Sequence, residues 1–141
     1  MKIIIGIVAA LILAGAGVAA GMFYGKEGSA EEQPKMTSRF FPMERFIVSV
    51  GSDSYSRYLV LDLSLSTKDP QFYASLEDAS PILRNVLVQH FANVTREQAK
   101  NMFSDVATVQ SELLEQFNQS LKAQEFDSEL DQVLVTNVFI Q

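Results

Sequence analysis

Residues Ile3 to Tyr24 form a run of 22 without a single charge, IIIGIVAALILAGAGVAAGMFY. A helix rises about 1.5 Å per residue, so such a run reaches roughly 33 Å, the thickness of one hydrocarbon core. The run divides the 141-residue chain into a transmembrane anchor over residues 1–25, a flexible tether over 26–39 and a folded domain over 40–141. A cleaved secretory signal is the rival reading, because Lys2 supplies a positive start and Val18-Ala19-Ala20 resembles an A-x-A cleavage site. Against cleavage, the apolar run exceeds a usual signal core and continues past the cut through Met22, Phe23 and Tyr24. Both readings put the domain outside the cytoplasm. The free amine and Lys2 precede the run while Lys26, Glu27, Glu31 and Glu32 follow it, so the charge rule favours N-terminus in, domain out.

Within the run, Gly17, Gly21 and Gly25 recur every fourth position and share one helix face. Such a face lets helices approach closely in lipid. Glycine is also common in membrane helices generally, so the spacing is compatible with either packing or plain composition.

Composition then removes most chemistry. Cysteine is absent and His90 is the one histidine. Thiolate chemistry, disulfides and two-histidine metal sites are thereby excluded. The formal net charge is −6, which argues against nucleic acid as a partner. Five of the seven glycines lie at positions 6 to 25, leaving no phosphate-cradling loop in the domain. No cofactor is expected. The acids divide unevenly: Arg39 to Arg96 is balanced, whereas Glu97 to Gln141 carries the domain's whole negative excess. That half is either a solvated face or a dock for a basic partner.

The domain predicts an α+β fold with a small three-stranded sheet packed with helices. Phe46, Val48 and Val50 alternate with Ile47 and Ser49, then Gly51-Ser52-Asp53-Ser54 turns the chain. Leu59, Leu61, Leu63 and Leu65 share one face, with Tyr58, Val60, Asp62 and Ser64 on the other. These two runs read as an antiparallel hairpin. Helix starts follow at Asp69-Pro70 and again at Ser80-Pro81, at the Thr95-Arg-Glu-Gln98 capping box, and near Asp105. The last run, Gln132 to Gln141, is nearly continuous in β-formers and predicts a buried strand rather than an edge.

Residues that suggest chemistry each have a plainer reading. Glu77-Asp78 lies on a helix surface, and Glu125, Asp127, Glu129 and Asp131 precede the last strand without a calcium-loop glycine, so no metal site is expected. His90 sits beside an apolar helix stripe and lacks a nucleophile elbow, so it reads as a packed residue; no catalytic residue is assigned. Phe40 and Phe41, at the junction of tether and domain, either staple onto the core or stand exposed for a partner.

A resemblance adds to these readings. Arg57-Tyr-Leu-x-Leu-x-Leu-Ser-Leu65 is followed by Pro81-Ile-Leu-Arg-Asn-Val86, by Thr95-Arg-Glu97, by Phe117-Asn-x-x-Leu121, and by Val135-x-x-Val-Phe-Ile-Gln141. In order and spacing this resembles the flagellar basal body-associated FliL family, from the single span to the last residue. One departure is Asp105-Val106-Ala107, where a glycine is expected before the long helix. The resemblance implies a non-enzymatic protein of the bacterial inner membrane with a periplasmic domain of stomatin-type (SPFH-like) fold. It implies flagellar stator proteins and the basal body as partners, and a homo-oligomeric ring that supports motility under load. Gly17, Gly21 and Gly25 are then candidates for packing in the membrane, and Phe40 and Phe41 for partner contact. The alternative is a membrane-tethered periplasmic binding module for an envelope ligand.

Overall fold

A computed structural model of the chain describes residues 36–51 and 57–141. The apolar run, the glycines Gly17, Gly21 and Gly25, most of the tether and residues 52–56 lie outside the described residues.

The domain is assembled on one long strand. Among the described residues there are four strands, β1 (Arg39–Pro42), β2 (Phe46–Ser49), β3 (Tyr58–Thr67) and β4 (Gln132–Ile140). Three helices lie between β3 and β4: α1 (Pro70–Phe91), α2 (Arg96–Met102) and α3 (Val106–Ala123). β3 is the centre, and β1, β2 and β4 all pair with it antiparallel. β1 lies along Ser64–Thr67 and β2 along Tyr58–Leu61, so together they run down one side of β3 while β4 occupies the other. The expected hairpin between residues 46–50 and 58–65 is present as β2–β3.

The period of two in β3 decides which way the sheet faces. Leu59, Leu61, Leu63 and Leu65 are buried. They meet a stripe on α1 made of Phe72, Leu76, Ala79, Leu83, Val86, Leu87 and Phe91, and on α3 of Val109, Leu113, Phe117 and Leu121. Each fully buried leucine contributes about 1.5–3 kcal/mol, so this single two-layer core is the main source of stability.

Local chemistry sets the helix ends. Asp69 Oδ1 accepts from the N–H groups of Gln71 (2.9 Å) and Phe72 (3.3 Å), and Pro70 opens α1. Thr95 and Gln98 form the expected capping box at 3.2 and 2.9 Å. Asp105 caps α3 by accepting from the N–H of Thr108, so no glycine is needed there. The Asn118 amide grips both backbone groups of Leu130, at 2.8 and 3.1 Å, and aims the chain into β4.

Three expectations need correction. The sheet has four strands rather than three, because the chain pairs with β3 already from Arg39. Ser80-Pro81 does not start a new helix, since α1 runs unbroken through Pro81. A proline inside a helix removes one hydrogen bond; here the buried stripe continues on both sides of it and holds the two halves in line. Finally, β4 is an edge strand, not a central one. Its β-formers reflect one buried face and one exposed face, with Val133 buried and Phe139 exposed.

Candidate functional site

The face of the sheet turned away from the helices carries the most unusual surface. Directly opposed residues share a face. Ile47 lies opposite Val60, and Val60 opposite Phe139, which makes an apolar row across three strands. Ile47 is 56% exposed, Phe139 54%, Tyr58 45% and Phe40 53%, whereas most side chains of this size are buried. These four residues make up most of the exposed large hydrophobic side chains among the described residues, Met36 and Val88 being the others.

A polar cluster sits in the middle of this face. Between Pro42 and Phe46 the chain places three residues against two of β3, because Pro42 opposes Ser64 and Phe46 opposes Leu61. On the other side, Asp62 opposes Asn137 and Leu63 opposes Val135, leaving Thr136 as an extra residue. Both neighbours of β3 thus bulge at Asp62. A bulge re-aims a side chain, and here the side chains converge. Arg45 donates from Nε to Asp62 Oδ1 and from Nη2 to Oδ2, both at 2.9 Å. Asn137 Nδ2 donates to Oδ2 at 3.2 Å, and Thr136 Oγ1 donates to the Asp62 carbonyl at 3.0 Å. The Arg45 bond holds the Asp62 carboxyl below the usual carboxylate range, helped by Asn137 and by the arginine charge and opposed by desolvation. The fork is planar and bidentate, which fixes geometry more than it adds energy at an exposed site.

The sequence-derived candidates fall in different places. Phe40 and Phe41 take opposite sides of β1. Phe40 is on the exposed face, while Phe41 is half-buried and meets Tyr73 edge-on with ring centroids 6.0 Å apart. His90 is half-buried between α1 and α3. Its Nδ1 donates to Gln116 Oε1 at 3.1 Å, its Nε2 is buried without a partner, and its ring stands edge-on to Phe91. An amide and an aromatic ring make it a packing residue, not part of a nucleophile–base pair. Among the described residues, no group of three or more His, Asp or Glu is gathered to hold a metal ion. Gly17, Gly21 and Gly25 lie outside the described residues.

Ile47, Tyr58, Phe139, Arg45, Asp62 and Asn137 were not singled out by sequence. Alternation alone places Ile47, Tyr58, Val60 and Asp62 opposite the leucines. The parity of β4 depends on the extra residue Thr136, which no sequence pattern marks.

An exposed apolar face around a fixed ion pair, on a small α+β scaffold, defines a candidate contact domain. Residues 40–141 match the family model of the flagellar basal body-associated protein FliL, and the chain belongs to that family. These are flagellar accessory proteins and are not known as enzymes. The chain is also similar to the flagellar protein LafL of Vibrio parahaemolyticus serotype O3:K6 (strain RIMD 2210633). The two are 21% identical over 113 residues, covering 78% of this chain and 66% of the relative. The chain therefore spans just under two thirds of that relative's length.

Proposed function

We propose that this protein is a non-enzymatic accessory of the bacterial flagellar motor. Its first 25 residues anchor it in the inner membrane, and its domain stands in the periplasm. Copies assemble as an oligomeric ring around stator units, through domains of stomatin-like fold. The observation that carries this reading is the family match over the whole of the folded domain. The row in which exposed Ile47 and Phe139 flank buried Val60, with exposed Phe40 and Tyr58 on the same face, supports it as a surface suited to contact.

The mechanism is a population shift. A ring that binds the engaged, ion-conducting form of a stator more tightly than the closed form raises the engaged fraction. A hundredfold difference in affinity, about 2.7 kcal/mol, moves an even equilibrium almost wholly to one side. No reacting group is needed. Gly17, Gly21 and Gly25 are the proposed packing face in the membrane, and Phe40 is the proposed contact at the junction.

The test is the position of a fluorescent fusion, with the apolar run intact, in cells with and without stators. Foci at flagellar bases that fade when stators are deleted are expected. A uniform envelope signal from a functional, stable fusion overturns the reading and favours a tethered module for an envelope ligand.

A further inference from the structure

Charge is divided between the two layers of the domain. Most of the charged side chains among the described residues lie on the helices and in the loops around them. Of the strand residues that take the outer face by register, Asp62 alone is charged, and Arg45 is forked to it. Glu44 lies toward the helices instead, 3.9 Å from Arg84 of α1, and Arg39 lies over the ring of Tyr73, 5.9 Å from its centroid. The outer face is therefore neutral as a whole. Glu97 to Gln141, by contrast, holds two basic and eight acidic residues, none of them on β4.

In place of charge the face carries aromatic and apolar side chains. Exposed Ile47 and Phe139 flank Val60 in one row, which spans three strands and about 10 Å. Tyr58 follows in the next row on this face, between Ser49 and Gln141. Phe40 lies at the far end of the face, opposite Ser66. Aromatic rings beside neutral hydroxyls and amides suit the boundary between water and hydrocarbon, where the ring is buried and the polar group bonds to headgroups or water. The Arg45–Asp62 fork brings no uncompensated charge to such a boundary.

The place of the face along the chain matters as much. Thirteen residues, 26 to 38, separate Gly25 from Arg39, and Phe40 is already on the face. A stretch of that length spans at most roughly 45 Å when fully extended, and about 20 Å as a random coil. A domain of about 100 residues has a radius of gyration of about 13 Å. With residues 1–25 anchored, the domain is held within about its own diameter of the bilayer, where even a weak affinity for the surface meets a high effective concentration.

We propose that the outer face of the sheet rests on the surface of the bilayer in which the chain is anchored, with Ile47, Tyr58 and Phe139 at headgroup depth. The contact rests on the anchor reading above and gives the exposed face its occupant. The division of charge sets the orientation, because anionic lipid repels the acidic helical layer and leaves the neutral sheet to approach. A soluble protein would cover the same side chains equally, but it would need neither the short connection nor the acids gathered on the opposite layer. A domain held sheet-down leaves its helices as the surface for protein partners.

The chain has no tryptophan, so one introduced ring reports alone. The full-length chain is inserted into vesicles of phosphatidylethanolamine and phosphatidylglycerol, with and without bromine on the acyl chains, and with iodide as the aqueous quencher on both sides. Phe139→Trp replaces one exposed ring by another, and Val88→Trp, at an exposed position of α1, is the control. Emission from position 139 is expected to shift to the blue and to be lost to the brominated lipid at every protein-to-lipid ratio. Emission from position 88 is expected to be lost to iodide alone. Ile47→Ser with Tyr58→Ser in the Phe139→Trp chain is expected to remove the lipid quenching with far-UV circular dichroism unchanged. Emission from position 139 that is open to iodide and untouched by bromine overturns the docking. Emission shielded from both also overturns it, because a protein surface then covers the face. Equal quenching of the two positions by bromine overturns it too. Retention of the chain through an alkaline wash, with position 139 open to iodide, removes the docking and leaves the anchor standing. Loss of the chain in that wash, after lipid quenching at position 139, supports the docking and counts against the anchor alone.

Discussion

Asp62 shows how a single position joins three strands. Its carboxylate receives Arg45 from one side and Asn137 from the other, at the point where both neighbours of β3 carry an extra residue. The bond from Arg45 above all, with that from Asn137 and the arginine charge, favours the ionised form, so the folded protein holds the carboxyl below its ordinary range. The sign of the pH effect follows. The stabilisation is complete above the unfolded value of about 3.9 and is lost as pH falls through the lower folded value. Asp69, which accepts from Ser128, Phe72 and Gln71, and Asp105, which accepts from Thr108, shift in the same direction. The full-length chain should therefore lose stability as pH is lowered below about 4, by denaturant midpoints measured across that range. Asp62→Asn should lower the midpoint slightly at neutral pH and flatten part of the acid limb. An acid limb identical to that of the parent would mean that the Arg45 fork contributes nothing, as many exposed pairs do.

At the scale of elements, sequence patterns worked where a segment's own residues decide its structure. The alternating leucines of β3, the Asp69-Pro70 start, the Thr95–Gln98 box and the Asp105 start are local, and the structure has each of them. They failed where pairing partners decide. Arg39–Pro42 is too short to show a period, and only the register against Ser64–Thr67 makes it a strand. Ser80-Pro81 carries a local start signal that the continuous apolar stripe overrides. The run of β-formers in β4 looked like a buried strand because periodicity reveals one covered face but not how many neighbours lie in the sheet. The end of α3 carries a local signal of another kind. Phe126 N–H bonds back to the Leu121 carbonyl and Glu125 N–H to that of Lys122, with Glu125 at φ 63°. This is the Schellman closure, whose left-handed residue is usually glycine. A side chain there costs about 1 kcal/mol, offset in part by the greater freedom of an unfolded glycine. Glu125→Gly should therefore raise stability by about 0.5–1 kcal/mol in equilibrium unfolding. A lower stability would show that the Glu125 side chain makes a contribution larger than its backbone strain.

For the whole molecule, the candidate surface was half legible. The sequence marks Phe40 and Phe41 as a pair, and the structure separates them, one to each side of β1. It marks the charge asymmetry too, with the acids concentrated after Glu97, on the helical side of the fold and in the loop that leads to β4. The exposed face itself needs three strands in register before its row exists, so no linear pattern displays it. In the assembly proposed above, the glycine spacing of the apolar run is one proposed means of holding copies together, and it separates from the domain by substitution. Gly17→Leu with Gly21→Leu changes the proposed packing face and no residue of the domain, so the domain's thermal unfolding should stay as in the parent. If the glycines pack helix on helix, oligomer size after membrane extraction should fall and foci at flagellar bases should weaken. Unchanged oligomer size and unchanged foci would remove the glycine face from the mechanism and leave the domain as the sole site of assembly.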